Sequence, residues 1–577
     1  MRKVREFLKR QSFLKGSAVL LIMVLVTKII GLAYKIPLTS MLGGSGMSCY
    51  SGAFAVFTPV FAFAAGGIPS TMSRLVSQQL ASCRYYNALK IKKAAMLIFG
   101  LMSLALSVGL ILLSGTLAEN AVHIPKAQYA LIAVALSLFP AAMMNVQRGW
   151  AEGMESMTPT AVSEIAETVF KLIFGLLGAY LVLDYANKSF ESYHGCFGIY
   201  CSDSRAAVLT AVPYAAAASA LGVSLASFFA CIFLFIINRR RSHSIATELK
   251  AYSLPLNLRF ITASKQIAKY ALPASVTAVA ATLSSMADLL TITPGLNKAF
   301  SANPQLFAFL SSYGYSSEDR ASFVYGSYTG LALTIFGLAP TFTAMLGKSI
   351  LPSLTCAYTE NDRSEIKKSV SSLLLLSSAI SIPCGLGIFV FSKELLNLFF
   401  SGSTAEIIVS QKPLSILGIA VIFMGIAMPC MSALSACNKQ VSALFITISA
   451  TLLKLALNML LIPLDSVNIS GAALSTVISQ AVMCMVAVAS LVKGTGCGWK
   501  ALKSIFVTFL PSFLCVCTAI LTQQLLVSRL DGVFLRFGVV ISVLNSAIIC
   551  LFSYLLLCIS PKNQILSIFS KKKSKNT

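Results

Sequence analysis

A chain of 577 residues that is 56% hydrophobic, only 11% charged and of mean hydropathy +0.81 is no soluble globular protein, where about 25% of residues are charged. The formal net charge of +25 would suit nucleic acid, but the basic residues form no arm and no aromatic-interleaved patch. They fall in short clusters between apolar runs, as membrane topology signals do, so no nucleic-acid partner is expected.

The basic start, MRKVREFLKRQSFLK, enters an apolar segment too long for a signal-peptide core, with no small-residue cleavage site after it. It reads as an uncleaved first span. Apolar runs of the roughly 20 residues needed to cross about 30 Å fall near 16–36, 51–78, 94–114, 127–147, 159–183, 207–238, 266–292, 323–346, 369–391, 413–436, 441–463, 470–492, 503–527 and 533–559. The expectation is an all-α polytopic membrane protein with about fourteen transmembrane helices. Prolines inside spans, among them Pro59, Pro69, Pro273, Pro340 and Pro429, predict kinks, tolerated where neighbours satisfy the freed carbonyls.

An even number of spans puts both termini on one side. About 30 Lys and Arg fall in the termini and loops of that side and about 10 opposite, which predicts cytoplasmic termini. The richest clusters are the N-terminus, Arg84–Lys93, Arg239–Lys265, Lys348–Lys368 and the KKKSK tail.

A parallel repeat is expected. With Lys171 laid on Lys454, PTAVSEIAETVFKLIFGLLG lies over SALFITISATLLKLALNMLL, Thr168 on Thr451 and Gly175 on Asn458. The reading divides the chain into a first lobe of six helices (1–238), a cytoplasmic linker (239–264), a second six-helix lobe (265–500), two further helices (501–560) and a basic tail (561–577).

Charges inside spans are costly and usually face a cavity or a partner helix. Lys28, Lys171 and Lys454 lie at similar depth, roughly 18–20 Å from the cytoplasmic edge at 1.5 Å per residue. They are expected to line one cavity, a setting that suits an anionic substrate. Glu164, Glu167 and Lys171 share a helical face, and Glu167 and Lys171 at i,i+4 are expected to pair. Asp288, on the seventh span, suits a coupling proton or sodium ion, or a salt bridge to one of the lysines. Lys35 and Arg74 lie near span ends, where snorkelling competes with a site role.

No catalytic set, metal site or cofactor is expected. The three histidines, His123, His194 and His243, fall in predicted loops. Cys196 and Cys201, in the exterior HGCFGIYC loop, are either free or a local disulfide. Glu152 and Glu155 read as a solvated turn.

The segments TKIIGLAYKIPLTSMLGGSGMSCY (Thr27–Tyr50), AAGGIPSTMSRLVSQQ (Ala64–Gln79), RGWAEGMESMTPTAVSEIAE (Arg148–Glu167) and LLKLALNMLLIPLDSVNISGAALST (Leu452–Thr476) resemble the stage V sporulation protein B group. These polysaccharide-export-type members of the multidrug/oligosaccharidyl-lipid/polysaccharide (MOP) flippase superfamily are similar to the MurJ-type lipid II flippases. The resemblance implies two six-helix lobes plus two extra helices. It also implies flipping of an undecaprenyl-pyrophosphate-linked sugar, a peptidoglycan or spore-cortex precursor, by alternating access in the cell membrane. It places Lys35, Arg74, Glu167 and Lys454 on motif positions. Asp288 departs from the pattern, since LLTITPGL follows it without an arginine, and the exterior segment 294–320 is longer than the family pattern implies and has no family role assigned to it.

The leading expectation is therefore a flippase, not an enzyme. Its partners would be a lipid-linked sugar, membrane lipids and a coupling ion, proton or sodium. The alternatives are a multidrug or cation antiporter of the same superfamily, which the basic excess at mid-depth argues against, and a membrane glycosyltransferase, which lacks its carboxylate set. The particular sugar, the ion and the oligomeric state stay open at this level.

Overall fold

The computed structural model describes residues 13–154, 156–251, 258–313, 315–316, 319–496, 503 and 505–527. The expected last span at 533–559, the basic tail, the first twelve residues and Glu155 lie outside them. Almost every described element is helical. The exception is a two-residue-per-strand hairpin, β1 (Gly195–Cys196) paired antiparallel with β2 (Ile199–Tyr200).

In chain order the main helices, shorter segments such as Gln128–Ala135 and Ser392–Phe399 aside, are α1 (Phe13–Phe61), α2 (Ile68–Ala81), α3 (Tyr85–Leu112), α4 (Leu138–Gly153), α5 (Thr158–Tyr193), α6 (Ser204–Ala251), α7 (Phe260–Ala302), α8 (Arg320–Ser327), α9 (Leu338–Thr359), α10 (Arg363–Val390), α11 (Thr404–Ala436), α12 (Gln440–Leu461), α13 (Ile469–Thr495) and α14 (Phe509–Val527). Among the described residues, eleven helices are long and apolar enough to cross a membrane, or twelve if a pair bent by 43° at Gly337 is one span. The first of these, Leu25–Leu80, has 56 residues, roughly 84 Å at 1.5 Å per residue and far more than one crossing needs. It takes in residues 25–36 of the first expected span and the whole of the second, 51–78. They separate at Gly43, whose φ of 60° and ψ of −173° belong to a region only glycine adopts readily.

The chain forms two compact units. One comprises the chain up to Thr334 together with Thr451–Ala472, and the other Ile335–Ala450 and the chain from Ala473 onward. In the first unit, α2 buries Ile68, Met72, Leu75 and Val76 against Ile91 of α3, Trp150 of α4 and Ile267 of α7. Small residues let helices touch backbone to backbone, which is how packing is gained where lipid supplies no hydrophobic drive. A β-carbon on Gly222 of α6 would lie 2.5 Å from the nitrogen of Gly175 on α5. A β-carbon on Gly326 of α8 would collide with the carbonyl of Gly44. In the second unit, α10, α11 and α13 share a core of Leu373, Leu374, Ala427, Ala433, Ala487 and Leu491.

Several boundaries differ from expectation, among them the linker expected at 239–264, which α6 enters as far as Ala251 and α7 enters from Phe260. Helix α5 runs ten residues past the expected end at 183, and on this extension Asp184 and Lys188 pair at 2.6 Å and i,i+4 spacing, a small local support. Helix α7 runs through Pro294 to Ala302, so the segment expected to be an exterior loop from 294 begins as helix. Cys196 and Cys201 are free thiols, both buried under the hairpin against Ala186, Ala207 and Ala211. Burial, then the neighbouring Cys201, raises the pKa of the Cys196 thiol.

Candidate functional site: a lysine-lined cavity

A cavity of about 600 Å³ lies within the first unit. Helix α1 contributes Lys28, Tyr34, Lys35, Tyr50 and Phe54, α5 contributes Glu167, Thr168 and Lys171, α7 contributes Ser285 and Asp288, and α8 contributes Tyr325. Their spacing explains the convergence. Lys28 and Lys35 are seven residues apart, two turns of one face, and Glu167 and Lys171 are one turn apart on α5.

Lys171 does not pair with Glu167 as expected. Its ammonium lies 5.0 Å from the centre of the Tyr34 ring and 5.7 Å from that of Phe54, a cation–π seat. The Tyr34 hydroxyl is fixed by Ser219 at 2.8 Å and Tyr50 at 3.1 Å. Gly175, one turn beyond Lys171, makes room for that ring. A β-carbon there would come within 2.7 Å of Tyr34.

Glu167 belongs to Arg148. The guanidinium Nη2 of Arg148 donates to Glu167 Oε2 at 2.9 Å, and the hydroxyl of Ser227 donates to Oε1 at 3.3 Å. Arg148 also donates from Nε to Ser163 at 2.9 Å. An arginine with several fixed donors outcompetes a flexible ammonium for a carboxylate. Sequence reasoning had Arg148 in view but gave it no role, because its partner lies on another helix, 19 residues on.

Asp288, the other carboxylate on the cavity, is paired as well. Lys454 donates to its Oδ2 at 2.7 Å, and Asn458 donates to its Oδ1 at 3.1 Å. Lys454 is buried behind Asp288, so it meets the cavity through that carboxylate. Both lining carboxylates thus have cations of their own, and Lys28, Lys35 and Lys171 bring positive charge to the cavity. Lys171 interacts electrostatically with Glu167 across one turn, and with Lys28 and Lys35. The ammonium of Lys35 donates to the carbonyl of Thr329 at 3.3 Å, in a π-helical turn, Tyr328–Ala332, of the kind often found at functional sites.

Two expected site residues lie apart. Arg74 is exposed, its guanidinium 4.4 Å from the Tyr270 ring centre. Glu164 stands one turn before the cavity on α5, its carbonyl accepting from Thr168 at 2.7 Å. Tyr34, Tyr50 and Asn458 had no signal as polar anchors in the sequence beyond their places beside the lysines. Among the described residues no group of three or more His, Cys, Asp or Glu could hold a metal ion.

The helices and buried charges define a multi-pass membrane protein with a MurJ-like fold, one shared with transporters of the MOP superfamily. The sequence matches the Polysaccharide biosynthesis protein family over residues 13–191 and MatE over 327–460. Its homologues include the lipid II flippase MurJ of Bacillus subtilis, 22% identical over 418 residues and 70% of each chain. Stage V sporulation protein B of the same organism is 21% identical over 403 residues and 69% of each chain. Among solved structures, the lipid II flippase MurJ in an inward closed conformation superposes with a TM-score of 0.64 at 14% identity, covering 94% of this chain and 99% of that one. An inward-facing MATE family multidrug transporter gives 0.55 at 14% identity, covering 85% and 98%.

Proposed function

We propose that this protein flips a polyprenyl-pyrophosphate-linked sugar, a cell-wall or spore-cortex precursor, across the cytoplasmic membrane by alternating access, with both termini in the cytoplasm. The observation that carries the reading is the charge of the cavity. Lys28, Lys35 and Lys171 line it, while Glu167 and Asp288 are neutralised by Arg148 and Lys454. A site with this balance favours a polyanion such as pyrophosphate and repels a cationic drug. The polyprenyl tail stays in lipid while the head group crosses. Lys454 acts through Asp288, and Glu167 through Arg148. Movement of the first lobe (1–238) against the second (265–500), with the Gly43 break as a bending point, would open the cavity to each side in turn.

A multidrug antiporter is the second reading, favoured by the MatE match and the MATE fold. The lysines argue against it. The deciding experiment identifies the lipid-linked sugar that accumulates on the cytoplasmic leaflet when the protein is removed, and asks whether Lys28→Ala and Lys171→Ala restore its export. Accumulation reversed by wild type and not by the variants supports the flippase. No accumulation, or full activity in both variants, overturns it.

A further inference from the structure

Two neighbouring helices of the first unit carry the same surface pattern. On α3, Tyr86, Lys90, Lys93, Leu97, Leu101 and Leu104 follow one another at steps of three or four residues and so form one stripe. All are exposed except Lys90, which is half-buried. On α7, Ile261, Lys265, Lys269, Leu272 and Val276 do the same, and all are exposed. The opposite faces, Ile91 and Ala95 of α3 and Ala263, Ile267 and Ala271 of α7, are buried in a shared core. The backbone N–H of Leu258 donates to Asn87 Oδ1 at 3.3 Å, so the two helices start side by side. Lys93 lies six residues beyond Asn87 and Lys265 seven beyond Leu258, which puts the two ammonium groups at about the same level, roughly 10 Å along.

Nothing nearby balances these charges. Helices α2 and α3 contain no carboxylate, and α7 has none before Asp288. No ion pair among the described residues involves Lys90, Lys93, Lys265 or Lys269. Lys92 leaves the stripe and turns inward, its ammonium 4.8 Å from the centre of the Trp150 ring. Helix α10 starts differently. Its Lys367 and Lys368 are also exposed, but Asp362 and Glu365 stand just before them. From Lys93 the apolar stripe of α3 runs on to Leu104, roughly 16 Å at 1.5 Å per residue, about the depth of one leaflet of a 30 Å core.

We propose that the starts of α3 and α7 form a binding site for an anionic glycerophospholipid of the surrounding bilayer. The phosphodiester lies among Lys90, Lys93, Lys265 and Lys269, and the acyl chains lie along Leu97 to Leu104 and Leu272 to Val276. The site stands apart from the lysine-lined cavity and does not depend on the flippase reading. Continuity decides the occupant. Each pair of ammonium groups opens directly onto an exposed apolar stripe on the same helical face, and a phospholipid has a charged group and a chain in that order. A free phosphate or an acidic protein segment would cover the lysines and leave the stripes bare. The long lysine stems let the ammonium groups reach the headgroup level, and basic clusters between spans are a known way of holding anionic headgroups.

The test measures binding to the purified full-length protein in a neutral detergent, with dioleoylphosphatidylglycerol, dioleoylphosphatidylcholine and inorganic phosphate as probes. The anionic lipid is expected to bind at least about tenfold more tightly than the zwitterionic one, and its affinity to fall as salt rises. Lys90→Gln/Lys93→Gln and Lys265→Gln/Lys269→Gln should each weaken it by about 25-fold, at about fivefold per lysine. The corresponding arginine pairs should restore it. Lys367→Gln/Lys368→Gln, at the charge-balanced start of α10, should leave it unchanged. The melting temperature of each lipid-free variant shows whether the fold is kept, and the exposed, unpaired lysines predict that it is. Equal affinity for the two lipids, a loss in the α10 variant as large as in the others, or unchanged affinity in either glutamine pair overturns the proposal. Displacement of the lipid by inorganic phosphate or by a polyglutamate peptide at micromolar concentration also overturns it, in favour of an anion or protein site.

Discussion

Lys171 and Lys454 are the aligned lysines of the expected repeat, yet they live in different surroundings. Each points toward another helix, Lys171 toward Tyr34 of α1 and Lys454 toward Asp288 of α7. The residue one turn on differs in step. Gly175 leaves space for a ring, and Asn458 supplies a second donor to a carboxylate. One lysine sits on aromatic faces beside the cavity, and the other is locked in an ion pair behind it. The facing helix, and not the local sequence around each lysine, therefore decides what each charge does.

The largest effect should come from breaking the locked side. Lys454→Ala leaves Asp288 buried without a cation, a loss of about 3–5 kcal/mol for such pairs. The melting temperature in detergent should fall steeply, and Asp288→Asn in the same chain should recover much of it. Next is Arg148→Ala, which frees the carboxylate of Glu167. Losing hydrogen bonds to a charged group costs about 1.5–3 kcal/mol each, at the lower end here because Glu167 is 29% exposed. The freed carboxylate would then pair with Lys171, so binding of a pyrophosphate diester should weaken together with stability. Gly175→Ala should cost about 1–3 kcal/mol through overpacking. It pushes the Tyr34 ring off Ser219 and Tyr50, which a lowered melting temperature with unchanged membrane insertion would report.

Much of this architecture was legible in the sequence, for a physical reason. The thickness of the bilayer imposes span lengths, so apolar runs mark helices even without a fold in mind. Charges inside spans also announced themselves, since each is costly there. Their partners did not. Asp288 and Lys454 lie 166 residues apart, a separation no local spacing rule can span. Glu167 and Lys171 had ideal helical spacing, but Arg148 from α4 reaches the carboxylate with better donor geometry. In-helix spacing predicts a pair only when no neighbouring helix offers a stronger one. The hairpin beyond α5 was likewise obscure, because a short polar loop with two cysteines carries no periodicity to read.

The smallest effect on stability should come from the open side, and it separates the two lysines most sharply. Lys171→Met keeps the length of the side chain and its apolar stem, and removes only the ammonium. The cation–π contacts it gives up are worth about 0.5–2 kcal/mol, offset in part because a thioether also packs well against aromatic rings. No carboxylate is stranded, since Glu167 keeps Arg148. The melting temperature should therefore hardly move. Removing one of the three cavity ammoniums should nonetheless weaken pyrophosphate binding at least tenfold and abolish complementation. Lys454→Met should do the reverse in order of size, with a large loss of stability first. If both variants lose stability equally, the two lysines are equivalent structural charges, and the distinction drawn from Gly175 and Asn458 falls.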